Sequence, residues 1–260
     1  MLSWNTEVSR RDPTMSLTLK LALSPLLVAQ ALLTRSRLPR LPEAAGARAG
    51  QAGAPDAPVL RLLVAGDSSA AGVGVPNQRQ ALAPQLANRL VQACPVRVDW
   101  RLLARSGLNT GQTLALLQQE AGLAADLAVI LTGVNDVVDQ VPSARALAAR
   151  EALANWLRNA IGVQHVVFAP LPPIQHFPAL PQPLRWVAGS DALRHNRALT
   201  DWAAGRSDVS CVPMEVPLNR GVMASDGFHP GEPVYRYCAG AISEHIARSV
   251  WPQLHLERQR

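Results

Sequence analysis

From residue 59 onward, short apolar runs alternate with stretches whose apolar residues recur at helical spacing. Val59–Ala65, Val96–Leu103, Leu127–Thr132, Val166–Ala169 and Val209–Val212 are each four to eight residues long and rich in branched aliphatics, so they read as buried strands. Between them the period changes. Leu82, Leu86 and Leu90 make one face of a helix, with Asn77 as its predicted N-cap and Pro84 early in it. A second helix runs through Leu114 and Leu117. A third is capped by Ser143, carries Leu147, Ala154, Leu157 and Ile161 on one side, and ends at Gly162. Asp191–Ala204 and Pro230–Val250 read as two more. Strands separated by helical stretches pair in parallel through right-handed crossovers, which predicts an α/β fold: a three-layer α/β/α sandwich around a five-stranded parallel sheet. Ligands in such sheets sit outside the carboxyl ends of the strands.

The N-terminal part follows a different pattern. Residues 1–14 are polar, and Met15 is an alternative start. Leu21 to Thr34 is an apolar stretch of 14 residues broken by Ser24, Pro25 and Gln30, short of the ~20 that span a bilayer as a helix. Three readings stand side by side. Lys20 in front and Ala29-Gln30-Ala31 behind suit an export signal, Arg35, Arg37 and Arg40 suit a membrane-associated helix, and a plain soluble helix packed on the domain is the third. Residues 15–40 therefore imply membrane association or export, and otherwise a cytoplasmic protein. From Pro39 to Pro58 the chain turns to Pro, Ala, Gly and Arg without periodicity. The expected division is an N-terminal segment over 1–38, a linker over 39–58, a folded domain over 59–252 and a polar tail over 253–260.

Composition narrows the function. A net charge of +6 invites a nucleic-acid partner, but Lys20 is the only lysine and aromatics make up 4% of the chain, leaving no basic surface interleaved with stacking rings. No nucleic acid is expected. Cys94, Cys211 and Cys238 are too dispersed for a disulfide framework or a zinc cluster and read as small apolar residues.

Candidate chemistry sits after the strands. The first strand ends in Gly66-Asp67-Ser68, Gly107 follows the second, Gly133-Val134-Asn135-Asp136 follows the third, and Asp226-Gly227-Phe228-His229 precedes the last helix. If these loops converge, they form one site. A serine hydroxyl needs a base to become a nucleophile, and His229 is the candidate. Asp226 can accept from the imidazole Nδ1–H, leaving Nε2 to face Ser68. The oxyanion formed on attack needs donors: the amides of Ser68 and Gly107 and the side chain of Asn135. Gly111 is a remote alternative to Gly107. Asp67 and Asp136 read as loop supports. His165, His176, His195, His245 and His255 match no motif. The proline-stiffened segment 170–186 should overhang the crevice, with Leu171, Ile174, Phe177, Leu180 and Trp186 as candidate pocket residues, or else pack on the surface.

These four blocks, in this order, resemble the SGNH (GDSL-type) hydrolases over roughly Val59 to Val250. Ser69 departs from the leucine in the family's name. The resemblance implies a flavodoxin-like sheet, nucleophile Ser68, base His229, orienting Asp226 and oxyanion donors Ser68, Gly107 and Asn135. It also implies a serine esterase acting on short or apolar acyl or aryl esters through an acyl-enzyme, with neither metal nor organic cofactor. Acyltransferase, carbohydrate acetylesterase and membrane-tethered binding module are the alternatives, and a small ester or lipid-like molecule is the expected substrate. Rival motifs fit less well. Ala70 breaks Gly-x-Ser-x-Gly, and no Gly-Lys-Ser/Thr follows Gly66–Val75. A metal centre on Asp67, Asp136, Asp226 and His229 leaves Ser68 without a role.

Overall fold

The computed structural model describes residues 17–216 and 218–258, with side chains over 20–216 and 218–254. The alternative start at Met15 and the first 16 residues lie outside the described residues. Six strands form one sheet: β1 (Ala49–Ala52), β2 (Val59–Gly66), β3 (Arg97–Ala104), β4 (Leu127–Leu131), β5 (His165–Phe168) and β6 (Val209–Cys211), in the order β1-β3-β2-β4-β5-β6. The five later strands are parallel, and β1 joins antiparallel at the edge.

The five-stranded expectation is thus corrected by one strand, and the linker expected over 39–58 contains it. β1 has no apolar alternation and only every second residue is half-buried, so nothing local marks it as a strand. It forms because β3 offers a free ladder edge, with Ala49 opposite Arg101 and Ala52 opposite Val98. Ala44 is also buried, and the Ala45 amide donates to Pro76 while the Gln78 amide donates back to Ala45. The segment is part of the packed domain.

The central strand β2 shows why the sheet sits between two layers. Leu60, Leu62 and Val64 join a core with Leu82, Leu86, Leu90, Tyr235 and Ile242, whereas Leu63 and Ala65 join another with Leu153, Leu157 and Leu199. Alternation along one strand therefore feeds two cores. The first belongs to α3 (Leu82–Ala93) and α8 (Glu232–His245), the second to α4 (Thr110–Gln118), α6 (Ser143–Ile161) and α7 (Leu184–Ala204).

Helix ends differ from expectation in instructive ways. Asn77 caps a 3-10 turn, Gln78–Gln80, and α3 itself starts at Leu82. Ser143 is the first residue of α6 rather than its cap, and Gly162 ends that helix at φ 79°. α7 reaches back to Leu184 and runs through Gly189, whose bare Cα lies against Gln175, so Trp186 lies in a helix and not in the overhanging loop. After α8 the chain continues through a π-helical turn, Ile246–Val250, into α9 (Trp251–Arg258). The expected polar tail at 253 is helical, and Leu254 is buried. At the other end, α1 (Leu17–Arg37) lies on α7.

Connections from β2 run first to β3 on one side and then to β4 on the other. The carboxyl ends of β2 and β4 therefore flank the switch point where such sheets bind ligands.

Candidate active site

β2 ends at Gly66, whose φ of 154° goes with a close approach to β4: a Cβ there would stand 2.0 Å from the Leu131 carbonyl oxygen. Only glycine fits. Asp67 follows, and its carboxylate accepts from the Ser69 amide at 2.9 Å, starting the one-turn helix α2 (Ser68–Ala71). Ser68 thereby stands at the mouth of the switch point, half-buried.

The loop before α8 comes to meet it. His229 Nε2 lies 3.1 Å from Ser68 Oγ, and His229 Nδ1 lies 2.6 Å from Asp226 Oδ2. The other Asp226 oxygen accepts from the amides of Phe228 and His229, both at 2.9 Å. Burial would raise the pKa of Asp226, but the imidazole and the two amides outweigh it and hold the carboxyl below its ordinary value. The carboxylate is thus kept ionised and aimed at one ring nitrogen.

The second and third loops are tied together beside this chain. Asn135 Nδ2, on the short helix α5 (Val134–Val138), donates to the Leu108 carbonyl at 3.0 Å. Buried Asp136 accepts from the Thr110 hydroxyl at 2.7 Å and from its amide at 3.3 Å. Gly107 is exposed with φ 83°, a conformation that L side chains rarely adopt. Gly111 lies inside α4, so of the two glycines only Gly107 is on the loop.

Asp67 is nearly sealed from solvent. Burial pushes its pKa up to about 6, against the Ser69 amide and the pull of His229. Glu43, which sequence reasoning passed over, accepts from the Ser106 amide at 2.7 Å and pairs with Arg48. Burial alone would raise its pKa, and the Ser106 and Arg48 contacts reverse that to a net lowering. An isolated acid in a Pro/Ala/Gly stretch gives no local signal of that partner.

Beside Ser68 opens a cavity of about 80 Å³, lined mostly by apolar side chains and touching Asp67 and Ser69 on either side of the serine. From the segment over the crevice, Leu171 and Phe177 line it. Ile174 and Leu180 do not; they are buried behind that wall, in a cluster with Val137 and Ala192. Trp186 packs instead near Leu27 and Val187. The opposite wall, Met214, Val216, Leu218 and Met223, comes from the stretch after β6, whose apolar residues between prolines were the available signal.

A second serine–histidine contact lies elsewhere. Ser210 Oγ is 2.9 Å from His165 Nε2 and 2.8 Å from His245 Nε2. His165 also bonds the Ser207 backbone, which makes its Nε2 an acceptor. Ser210 then donates to His165 and accepts from His245, so its hydroxyl is used at both ends. Burial lowers the pKa of both histidines, that of His165 to about 4. Neither histidine has a carboxylate hydrogen-bonded to it among the described contacts, and His165 opens β5, at the end of the sheet away from the ligand crevice. This is a neutral structural pin.

A parallel sheet of this order, with serine, histidine and aspartate joined in sequence at its switch point, defines a hydrolase of the SGNH class. The chain belongs to the GDSL-like lipase/acylhydrolase family, whose pattern matches residues 64–237. It is 29% identical over 196 residues to the GDSL-like esterase Rv1075c of Mycobacterium tuberculosis, covering 70% of this chain and 60% of that protein. The chain therefore spans less than two-thirds of that relative's length. Among solved structures it is similar to the lipase Lip_vut3 from a goat rumen metagenome, at TM-score 0.59 and 18% identity over 73% of this chain and 98% of that one. It is also similar to TesA, at TM-score 0.51 and 26% identity over 75% and 97% of the two chains.

Proposed function

We propose that the protein is a serine esterase that cleaves carboxylic esters with short apolar acyl groups. The observation that carries this is the chain Ser68 Oγ–His229 Nε2–Nδ1–Asp226, with spacings of 3.1 and 2.6 Å. Ser68 Oγ attacks the ester carbonyl as its proton passes to His229 Nε2. The charge formed on the carbonyl oxygen is met by the amides of Ser68 and Gly107 and by Asn135 Nδ2, which leaves Leu108 to do so. Collapse expels the alcohol, protonated by the imidazolium. Water then gives a proton to His229 and attacks the acyl-enzyme, releasing the acid and restoring Ser68. Asp226 fixes the tautomer throughout. The apolar cavity beside Ser68 suits a short aliphatic or aryl acyl group, and it makes no choice among alcohols, a sugar included.

Labelling with a fluorophosphonate probe, combined with hydrolysis of p-nitrophenyl esters from acetate to decanoate, tests the reading. Ser68→Ala should abolish labelling, and His229→Ala should slow turnover by at least about a thousandfold. Asn135→Ala should cost about a hundredfold in kcat. Ser210→Ala should label like the parent. Stoichiometric labelling of the Ser68→Ala protein, or its loss in Ser210→Ala alone, would overturn the assignment.

A further inference from the structure

Helix α1 is amphipathic in the wrong sense for a helix that only packs on a domain. Its inward face carries polar groups that find partners: Lys20 Nζ meets Asp191 Oδ2 at 2.6 Å, and Gln30 donates to the Gln182 carbonyl at 2.7 Å while accepting from the Leu184 amide at 3.1 Å. Leu23 and Leu27 add a small cluster with Val187. The outward face is aliphatic. Leu21, Val28 and Leu32 are 63%, 58% and 64% exposed, and Leu26 and Leu33 about half. Ser24, the polar residue among them, turns its hydroxyl back to the Leu21 carbonyl at 2.7 Å. Five of the eight large hydrophobic residues exposed among the described ones therefore stand on one helix face, a concentration that marks an interaction surface.

Charge says what covers it. Arg35 and Arg37 end the helix, Arg40 follows, all three are exposed, and residues 17–42 contain no carboxylate. A second copy of α1 would bring the same aliphatics and the same cations, with no anion to meet them. A bilayer carrying anionic lipid supplies both an apolar layer and phosphates at its rim. Among the described residues no helix is long and apolar enough to cross a membrane. We propose that α1 lies in the surface of an anionic membrane, with Leu21, Val28, Leu32 and Leu33 in the acyl boundary and the three arginines among the headgroups. The polar contacts to Gln182, Leu184 and Asp191 hold the domain against it. This stands independently of the ester chemistry.

Co-sedimentation of the full chain with vesicles tests it, using pure phosphatidylcholine and a 3:1 mixture with phosphatidylglycerol. The parent should bind the mixed vesicles and lose binding as salt rises. Changing Leu21, Val28 and Leu32 together to serine should remove binding with the melting temperature unchanged, since none of the three is packed. Changing Arg35, Arg37 and Arg40 to glutamine should lower partitioning to mixed vesicles by about a hundredfold, toward the level on phosphatidylcholine. Two results overturn the proposal: no partitioning of the parent to mixed vesicles, or equal partitioning of the serine variant. A dimer in solution that the serine substitutions dissolve, without vesicle binding, would assign the face to a second copy instead.

Discussion

Asp67 stands one residue before the serine hydroxyl, 2% exposed, and both of its roles follow from that place. As a cap it holds α2 in register; as a buried carboxyl with a pKa near 6 it is ionised only at a cost. The sign is that of a raised acid. Below pH 3.8 the group is neutral folded and unfolded alike, and as pH rises through 6 the folded state must ionise what the unfolded state ionised already. Asp67→Asn keeps an acceptor for the Ser69 amide and removes the charge. It should raise stability at pH 7.5 by up to about 3 kcal/mol, with no difference at pH 3.5, as read from urea unfolding at the two values. Turnover should fall, because the imidazolium of His229 loses a neighbouring anion. The capping role was legible in Gly-Asp-Ser, since such a bond is made within three residues. The raised pKa was not, because it comes from burial by distant elements.

At the scale of elements, the contrast between β2 and β1 shows what sequence patterns carry. β2 and its parallel neighbours are legible because each buries its own aliphatics, and α3 because Leu82, Leu86 and Leu90 all reach one core. β1 is Ala-Gly-Gln-Ala, a strand only by virtue of its pairing with β3. The four motif loops were legible for a chemical reason: the residue types needed to attack an ester are few. Which side chains wall the cavity was half legible, since Leu171 and Phe177 face it while Ile174 turns away, and helix α7 carries Trp186 off toward α1. The unread strand has a functional companion. Glu43, just ahead of β1, holds the Ser106 amide beside Gly107 and is itself braced by Arg48. Glu43→Ala should leave the fold intact, because the contact is partly exposed, with a melting temperature within a few degrees of the parent. It should lower kcat by about tenfold with little change in KM, short of the ~100-fold that a 1 Å misplacement costs. An unchanged kcat would show that Gly107 keeps its place without the brace.

For the molecule as a whole, the two ends of the sheet respond to acid in opposite ways. His165 is 5% exposed, bonded to Ser210 and to the Ser207 backbone, and held neutral down to about pH 4 by burial and by His245. Above pH 6.5 it is neutral in both states. Between 6.5 and 4 the unfolded chain takes up a proton that the folded one refuses, so this group's share of stability is lost as pH falls through that window, by about 3 kcal/mol. Asp67, at the other end, loses about as much as pH rises from 3.8 through 6. The windows overlap, and the two slopes oppose each other. Single variants separate them. His165→Gln, which can still bond Ser210, removes the His165 share and leaves those of His195 and His245, so stability should climb less from pH 4 to 6 than in the parent. Asp67→Asn should leave one whose stability climbs from pH 4 to 6.5. Urea unfolding across that range at half-unit steps gives both curves, and the double variant should climb less than Asp67→Asn alone. Parallel curves for the two single variants would mean that neither group carries the burial assigned to it. Below pH 3.8 a further loss sets in for the parent and both variants, because Asp226 holds its charge there only in the folded state and must give it up to the proton. Since that carboxylate orients His229, the loss of stability and the loosening of the Ser68–His229–Asp226 chain have one cause.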